Sequence, residues 1–312
     1  MELIEEFFRK KIKSEYQEIN IGHQFLSGHS LIILREDQIH PYISGNKYRK
    51  LKYNLLEARK QSYSKLLTFG GAFSNHIAAV AALGKEVGFD TIGVIRGEEL
   101  VHKAMENPTL SFALECGMQL EFVTRKYYSS KNEKPFIDDL RNKYGEFFVI
   151  PEGGTNSLAV KGCEEILNED SLHYDYICVA VGTGGTVSGL LNASLPHQQV
   201  LGFSVLKGIF QSTEVRKYST KTNFEITDAY SFGGYAKIDS NLIRFMNTFK
   251  KSTGIQLDPV YTAKMMFGIF DLIKKGFFKE NSRILAVHTG GLQGITGMNK
   301  RLKEKNLPQI IV

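Results

Sequence analysis

Three groups of residues in this chain have the types and spacing for chemistry. The first is in SGNKYRKLKYNLLEARK, where Ser44 and Gly45 form a turn and a helix begins near Lys47. At i, i+4, i+8 spacing Lys47 shares a face with Leu51 and Leu55, which puts an amine at the end of an apolar stripe. Lys50 falls with Asn54 and Glu57 on a more polar face. A partly buried lysine has a lowered pKa and is a better amine nucleophile. A lysine that merely snorkels to water from a helix end would have the same sequence pattern. The second group is GTGGTVSG, where Thr183, Gly184, Gly185 and Thr186 offer backbone N–H groups and two hydroxyls at a helix start. That suits a phosphate dianion. No Gly-Lys-Ser/Thr follows, and glycines at 182, 184, 185 and 189 make a poor dinucleotide fingerprint, so a monophosphate fits best. The third is FGGAFSNH, with Ser74 as N-cap and Asn75 and His76 in the first helical turn. It can bind a carboxylate or simply cap its helix. Tyr235 in SFGGYAK, Tyr261 in LDPVYTAKM and Thr289 in AVHTGG are unremarkable one by one.

The elements that must position these groups alternate along the chain. Short apolar runs such as KLLTF, TIGVI, LEFV, FFVI, YICVAV, QVLGFSV and RILAVH are each separated by turns and helix-like stretches. NPTLSFALECG reads as a helix with Asn107 as N-cap, Pro108 first and Gly117 at its end. Strands apolar on both faces, joined by helices, predict parallel sheets and an α/β fold. The alternation divides near residue 150. The reading is two open parallel-sheet lobes, residues 48–150 forming the smaller and 1–47 with 151–312 the larger, with a cleft between them. Gly70-Gly71, Gly182 to Gly185 and Gly290-Gly291 each follow a strand. Ligands of open parallel sheets bind beyond the carboxyl ends of the strands, so three such turns can line one site.

Composition narrows the classes. With 312 residues, 42% hydrophobic and 23% charged, the chain can bury a large core, which rules out a disordered or fibrous protein. Its net charge of +6 is scattered, giving no nucleic-acid stripe. Cys116, Cys163 and Cys178 form neither a C-x-x-C nor a metal spacing, which points to a reduced cytoplasmic chain. The N-terminus lacks the apolar stretch of a signal peptide, and no run is long enough to span a membrane. A nicotinamide oxidoreductase would need an early fingerprint and an acidic ribose ligand, which are missing. A binding protein without catalysis would have no need of Lys47 and a complete phosphate cup.

Taken in order, SGNKYRKL, FGGAFSNH, GTGGTVSG, LDPVYT and HTGG resemble the D-cysteine desulfhydrase and 1-aminocyclopropane-1-carboxylate deaminase family. The resemblance runs from about residue 35 to 300 and implies a tryptophan synthase β-like fold, pyridoxal 5′-phosphate as cofactor and a homodimer. It makes Lys47 the Schiff-base lysine, Asn75 the partner of the pyridine 3′-oxygen and Thr183 to Thr186 the phosphate cup, with Lys50 adding charge there. Ser74, Asn75 and His76 fall at the substrate carboxylate, and Tyr235 and Tyr261 match two active-site tyrosines. His76 departs from the deaminases, which have Gln there. Deaminases acting on the cyclopropane place Glu after the tyrosine, where this chain has Thr262, and an apolar residue where it has Thr289. The Thr/Thr pair resembles the desulfhydrases. The resemblance therefore implies lyase chemistry, β-elimination of D-cysteine to pyruvate, sulfide and ammonia. The alternative is the deaminase reaction, classed with hydrolases, giving 2-oxobutyrate and ammonia.

Overall fold

The computed structural model describes residues 2–9, 14–19, 28–43 and 45–312. Ser44, expected in the turn before the lysine helix, lies outside the described residues. Ten strands run in chain order: β1 (Tyr16–Glu18), β2 (Ser30–Leu34), β3 (Lys65–Gly70), β4 (Asp90–Arg96), β5 (Gln119–Val123), β6 (Phe148–Ile150), β7 (Tyr176–Val181), β8 (Gln199–Ser204), β9 (Phe224–Thr227) and β10 (Arg283–Val287) among the described residues. They form a four-stranded sheet, β5-β4-β3-β6, and a six-stranded sheet, β1-β2-β10-β7-β8-β9. Pairing is parallel throughout except that β1 runs antiparallel to β2.

Side chains alternate across a strand, and each sheet uses that alternation to build a core on both faces. In the larger sheet Leu31, Ile33, Cys178, Ala180, Leu201 and Phe203 pack against the Ser240–Thr253 and Thr262–Lys274 helices. Their neighbours Ile32, Leu34, Ile177, Val179, Val181 and Val200 face the Ser157–Glu164 and Gly185–Ala193 helices. In the smaller sheet Leu66 and Ile95 meet the Asn46–Lys60 and Asn75–Val87 helices, while Leu67, Phe69, Ile92 and Val94 meet Phe136 and Leu140.

The first 47 residues divide between the two cores. β1 and β2 extend the larger sheet, whereas Ile4 of the Glu2–Arg9 helix is buried with Leu51, Leu55 and Val80 of the smaller one. Phe7 and Phe8 close over Tyr48 at the same place, with ring centroids 5.7 and 5.0 Å away. The Glu2–Arg9 helix thus packs on the lysine helix.

Two close backbone approaches fix the Asn46–Lys60 helix. Gly45 has φ +62°, and a Cβ there would lie 2.0 Å from the Thr289 carbonyl oxygen. A Cβ on Gly162 would lie 1.9 Å from the Arg49 carbonyl oxygen. Only glycine permits either contact. The helix start is further tied by a buried fork from Arg49 to Glu36, at 2.9 and 2.8 Å.

Candidate active site

The carboxyl ends of β3, β4, β6, β7 and β10 converge on a cleft of about 830 Å³. Gly71, Gly182, Gly184, Gly290 and Gly291 line it, so the three glycine turns face one space. A fourth turn, Gly153-Gly154 after β6, carried the same strand-then-glycine signal in the sequence and went unread.

Lys47 and Lys50 project into this cleft from the first turns of their helix. The Lys47 Nζ lies 3.3 Å from the Gly153 carbonyl oxygen. The Lys50 Nζ donates to the same oxygen at 3.1 Å and to Thr155 Oγ1 at 3.0 Å. Neither amine has a carboxylate partner among the described residues. Burial, and then the charge of Lys50, hold the Lys47 ammonium well below the usual lysine range; burial lowers Lys50 as well. The face carrying Lys50 is polar, as the spacing predicts, yet it is not a solvent face: Lys50 is 2% exposed and Asn54 is fully buried. Asn156 packs there and donates to Asn54 Oδ1 at 2.7 Å, because the glycine contact at Gly162 brings the Ser157–Glu164 helix in so closely.

Opposite the lysines, the Gly185–Ala193 helix starts with no side-chain cap, leaving its first N–H groups without intrahelical acceptors. Thr183 Oγ1 lies 2.5 Å from Thr155 Oγ1. Thr186 Oγ1 accepts from Asn46 Nδ2 at 2.8 Å. A Cβ on Gly185 would stand 2.8 Å from Thr155 Oγ1 and 3.2 Å from Lys50 Nζ, so the missing side chain leaves room between cup and amine. Two buried lysine amines facing only neutral acceptors beside an uncapped helix start make an anion site.

Ser74 caps the Asn75–Val87 helix as expected, accepting from Ile77 N at 3.3 Å. Ser74, Asn75 and His76 all line the cleft. His76 Nε2 lies 2.8 Å from Thr68 Oγ1, while its Nδ1 is buried without a hydrogen-bond partner. Burial and the two lysine charges outweigh the nearby Pro151 carbonyl and hold the imidazole neutral.

Tyr235, Tyr261 and Thr289 line the cleft too. The tyrosine rings meet edge to face with centroids 6.1 Å apart. Burial first, and Tyr235 second, push the Tyr261 phenol well above its usual range. Thr262 does not face the cleft. It is fully buried, and its Oγ1 accepts from Asp258 N at 2.8 Å and donates to Asp258 Oδ1 at 3.1 Å. Asp258 is the cleft residue there, unread in the sequence although it opens DPVYT. Its carboxylate gathers the N–H groups of Val260, Tyr261 and Thr262 at 3.2, 2.9 and 2.6 Å, and burial raises it. An Asp shortly before a helix start was the available signal. Arg96, Thr155 and Asn46 are further lining residues that spacing alone did not reveal.

The family model for pyridoxal-phosphate dependent enzymes matches residues 21–290. The chain belongs to this family. It is therefore a pyridoxal-phosphate dependent enzyme of α/β fold. A Thermotoga maritima relative, provisionally named a 1-aminocyclopropane-1-carboxylate deaminase, is 33% identical over 88% of this chain and 93% of its own. The bifunctional D-cysteine desulfhydrase/1-aminocyclopropane-1-carboxylate deaminase of Arabidopsis thaliana is 31% identical over 86% of this chain and 74% of its own. The crystal structure of an ACC deaminase homologue superposes with a TM-score of 0.80 at 25% identity, covering 97% of this chain and 99% of that one. The cleft fits the family's cofactor: a buried amine at Lys47, an uncapped helix start for a phosphate, and room left by Gly185 between them. No helix among the described residues is long and apolar enough to cross a membrane.

Proposed function

We propose that this enzyme catalyses β-elimination on a small amino acid, D-cysteine, releasing pyruvate, sulfide and ammonia. The observation that carries the reading is the pair of buried lysines that meets only neutral acceptors at the mouth of the phosphate cup. In this reading the cleft lies between a lobe of residues 48–150, on which the Glu2–Arg9 helix packs, and one built from β1, β2 and residues 151–312. Lys47 would hold the cofactor's aldehyde carbon, Thr183 to Thr186 with Lys50 its phosphate, and Asn75 its ring oxygen, with Thr289 toward the ring nitrogen; Thr262, expected there from the sequence, is buried against Asp258 instead.

Bound pyridoxal phosphate supplies a carbonyl for an amine and a ring that takes up electrons left at Cα. The chain's own groups do the rest. Ser74 and Asn75, at a helix N-terminus, hold the substrate carboxylate, with His76 neutral beside them. Lys47, whose ammonium burial holds well below the usual lysine range, takes the proton from Cα. Tyr261, kept protonated by burial and by Tyr235, gives its proton to the departing sulfur. With one water consumed, D-cysteine yields one pyruvate, one hydrogen sulfide and one ammonia.

Thiolate is a good leaving group, whereas an unactivated cyclopropane needs a stronger electron sink. Thr289 offers a neutral hydroxyl to the cleft, Thr262 is turned away onto Asp258, and Asp258 is itself occupied by three N–H donors and by Thr262. That favours elimination. The names of the relatives keep the second reading open, deamination of 1-aminocyclopropane-1-carboxylate to 2-oxobutyrate and ammonia. Ammonia release from each substrate by cofactor-loaded protein decides between them. Turnover of D-cysteine with stoichiometric sulfide is expected; turnover of the cyclopropane alone would overturn the choice. A cytoplasmic homodimer completes the reading, and the free Cys116, Cys163 and Cys178 suit a reducing compartment.

A further inference from the structure

Lys264 is 1% exposed, inside the first turn of the Thr262–Lys274 helix, and takes no part in the chemistry above. Its Nζ donates to the carbonyl oxygens of Ser231 and Gly234, both at 2.8 Å. Those two carbonyls also close successive turns, accepting from Gly234 N at 3.0 Å and Lys237 N at 3.2 Å. Between them the backbone adopts positive φ at Phe232 (52°), Gly233 (88°), Gly234 (119°) and Ala236 (54°). For Phe and Ala that conformation is unfavourable and persists only when the surroundings impose it. The turn is anchored to the same helix at two further points. Tyr230 donates to Asp271 at 2.7 Å, and the Phe232 and Phe267 rings meet at 5.1 Å. Tyr235 sits at the turn's tip, 46% exposed, facing Tyr261 at the helix start.

We propose that Lys264 is a positioning residue: its buried amine clamps the Ser231–Ala236 turn and thereby holds Tyr235 over the cleft. An apolar side chain of equal length would fill the space and leave two buried carbonyls without this donor. A lysine there is thus explained by the turn it holds. Burial lowers its ammonium to about 8, against the pull of Asp258, and the neutral amine still donates to both carbonyls. The consequence for catalysis rests on the reading of Tyr235 given above.

The test uses Lys264→Met, Lys264→Gln, Tyr235→Phe and the double variant Lys264→Met/Tyr235→Phe. Amide hydrogen exchange on cofactor-free protein is read first. In Lys264→Met the Gly234 and Lys237 amides are expected to exchange more than tenfold faster, with the Asn75–Val87 helix unchanged. Lys264→Gln, which keeps a donor but shortens the reach, falls between. Unchanged exchange at those amides in Lys264→Met overturns the proposal; if that variant does not fold, unchanged exchange in Lys264→Gln does so. Kinetics of the loaded enzyme come second. If Lys264 acts through Tyr235, Tyr235→Phe and the double variant lose kcat/KM to the same extent. Losses that multiply overturn the link to Tyr235. A Tyr235→Phe enzyme of normal activity instead overturns the role given to that tyrosine, and the exchange data still decide the clamp.

Discussion

At the scale of single residues, the site is organised by burial more than by pairing. In the proposed reading, Lys47→Ala removes the amine that holds the cofactor's aldehyde and moves the Cα proton. Loss of the protein's visible cofactor absorbance and a fall in turnover of roughly 10²–10⁴-fold or more are expected, measured by spectrum and steady-state assay. Lys50→Met separates two effects of opposite sign. It deletes a charge that is buried without a carboxylate, so the cofactor-free protein should melt no lower than the parent. It also deletes a charge-assisted bond to phosphate, so cofactor affinity should fall roughly 10–100-fold, from about 1.5–3 kcal/mol, by fluorescence titration. His76 gives the pH dependence. Its folded-state pKa lies well below the ordinary 6.5, so below pH 6.5 the unfolded chain binds a proton that the folded chain refuses. Stability must then fall toward acid, by up to about 1.4 kcal/mol per pH unit until the folded ring titrates. His76→Gln should flatten this acid limb in denaturant melts of the cofactor-free protein; an unchanged limb would mean that other groups set it.

At the scale of elements, legibility followed the periodicity. The buried strands β3, β4, β7, β8 and β10 were plain because each is a short run apolar on both faces, and the Asn107-Pro108 helix start was plain because its cap chemistry is local. β1 and β9 are short edge strands of mixed polarity, and the Ser240–Thr253 helix lies between tyrosine- and glycine-rich loops; their pattern is set by what they pack on, which spacing does not reveal. The alternation places the Glu2–Arg9 helix in the larger lobe with its neighbours, yet Ile4 is buried in the other core. Where the lysine helix begins is a matter of one glycine. Gly45→Ala brings a Cβ onto the Thr289 carbonyl at positive φ, and the helix start, Asn46 and Lys47 included, must move. A loss of about 1–3 kcal/mol is expected from the backbone conformation alone. Thermal melts and the cofactor spectrum would check it, and an alanine variant with both unchanged would show that the turn is free to relax.

At the scale of the whole molecule, the chemistry-bearing residues were legible while their convergence was not. Lys47, Ser74, Thr183 and Thr289 each stood in a motif, but nothing in the spacing placed Thr155 beside Lys50 or Asn46 beside Thr186, because those contacts join segments over a hundred residues apart. The same convergence makes ligand binding a property of the entire fold. A phosphate in the proposed cup would touch the lysine helix and the Gly153–Thr155 turn on one side and the Gly185–Ala193 helix on the other. It would therefore bind the folded chain and have no counterpart in the unfolded one. At a hundredfold excess over its dissociation constant the cofactor should add about 2.7 kcal/mol, or roughly 5 °C in Tm. Because the anion is what the two buried lysines lack, most of that gain belongs to the phosphate. Pyridoxal without its phosphate, at equal concentration, should raise Tm by a degree or two at most in differential scanning fluorimetry, whereas pyridoxal phosphate gives the full shift. Lys50→Met should narrow the gap between the two compounds. Equal shifts from both would mean that the cup formed by Thr183, Gly184, Gly185 and Thr186 does not hold the phosphate, and the anion site would have to be sought elsewhere along the cleft.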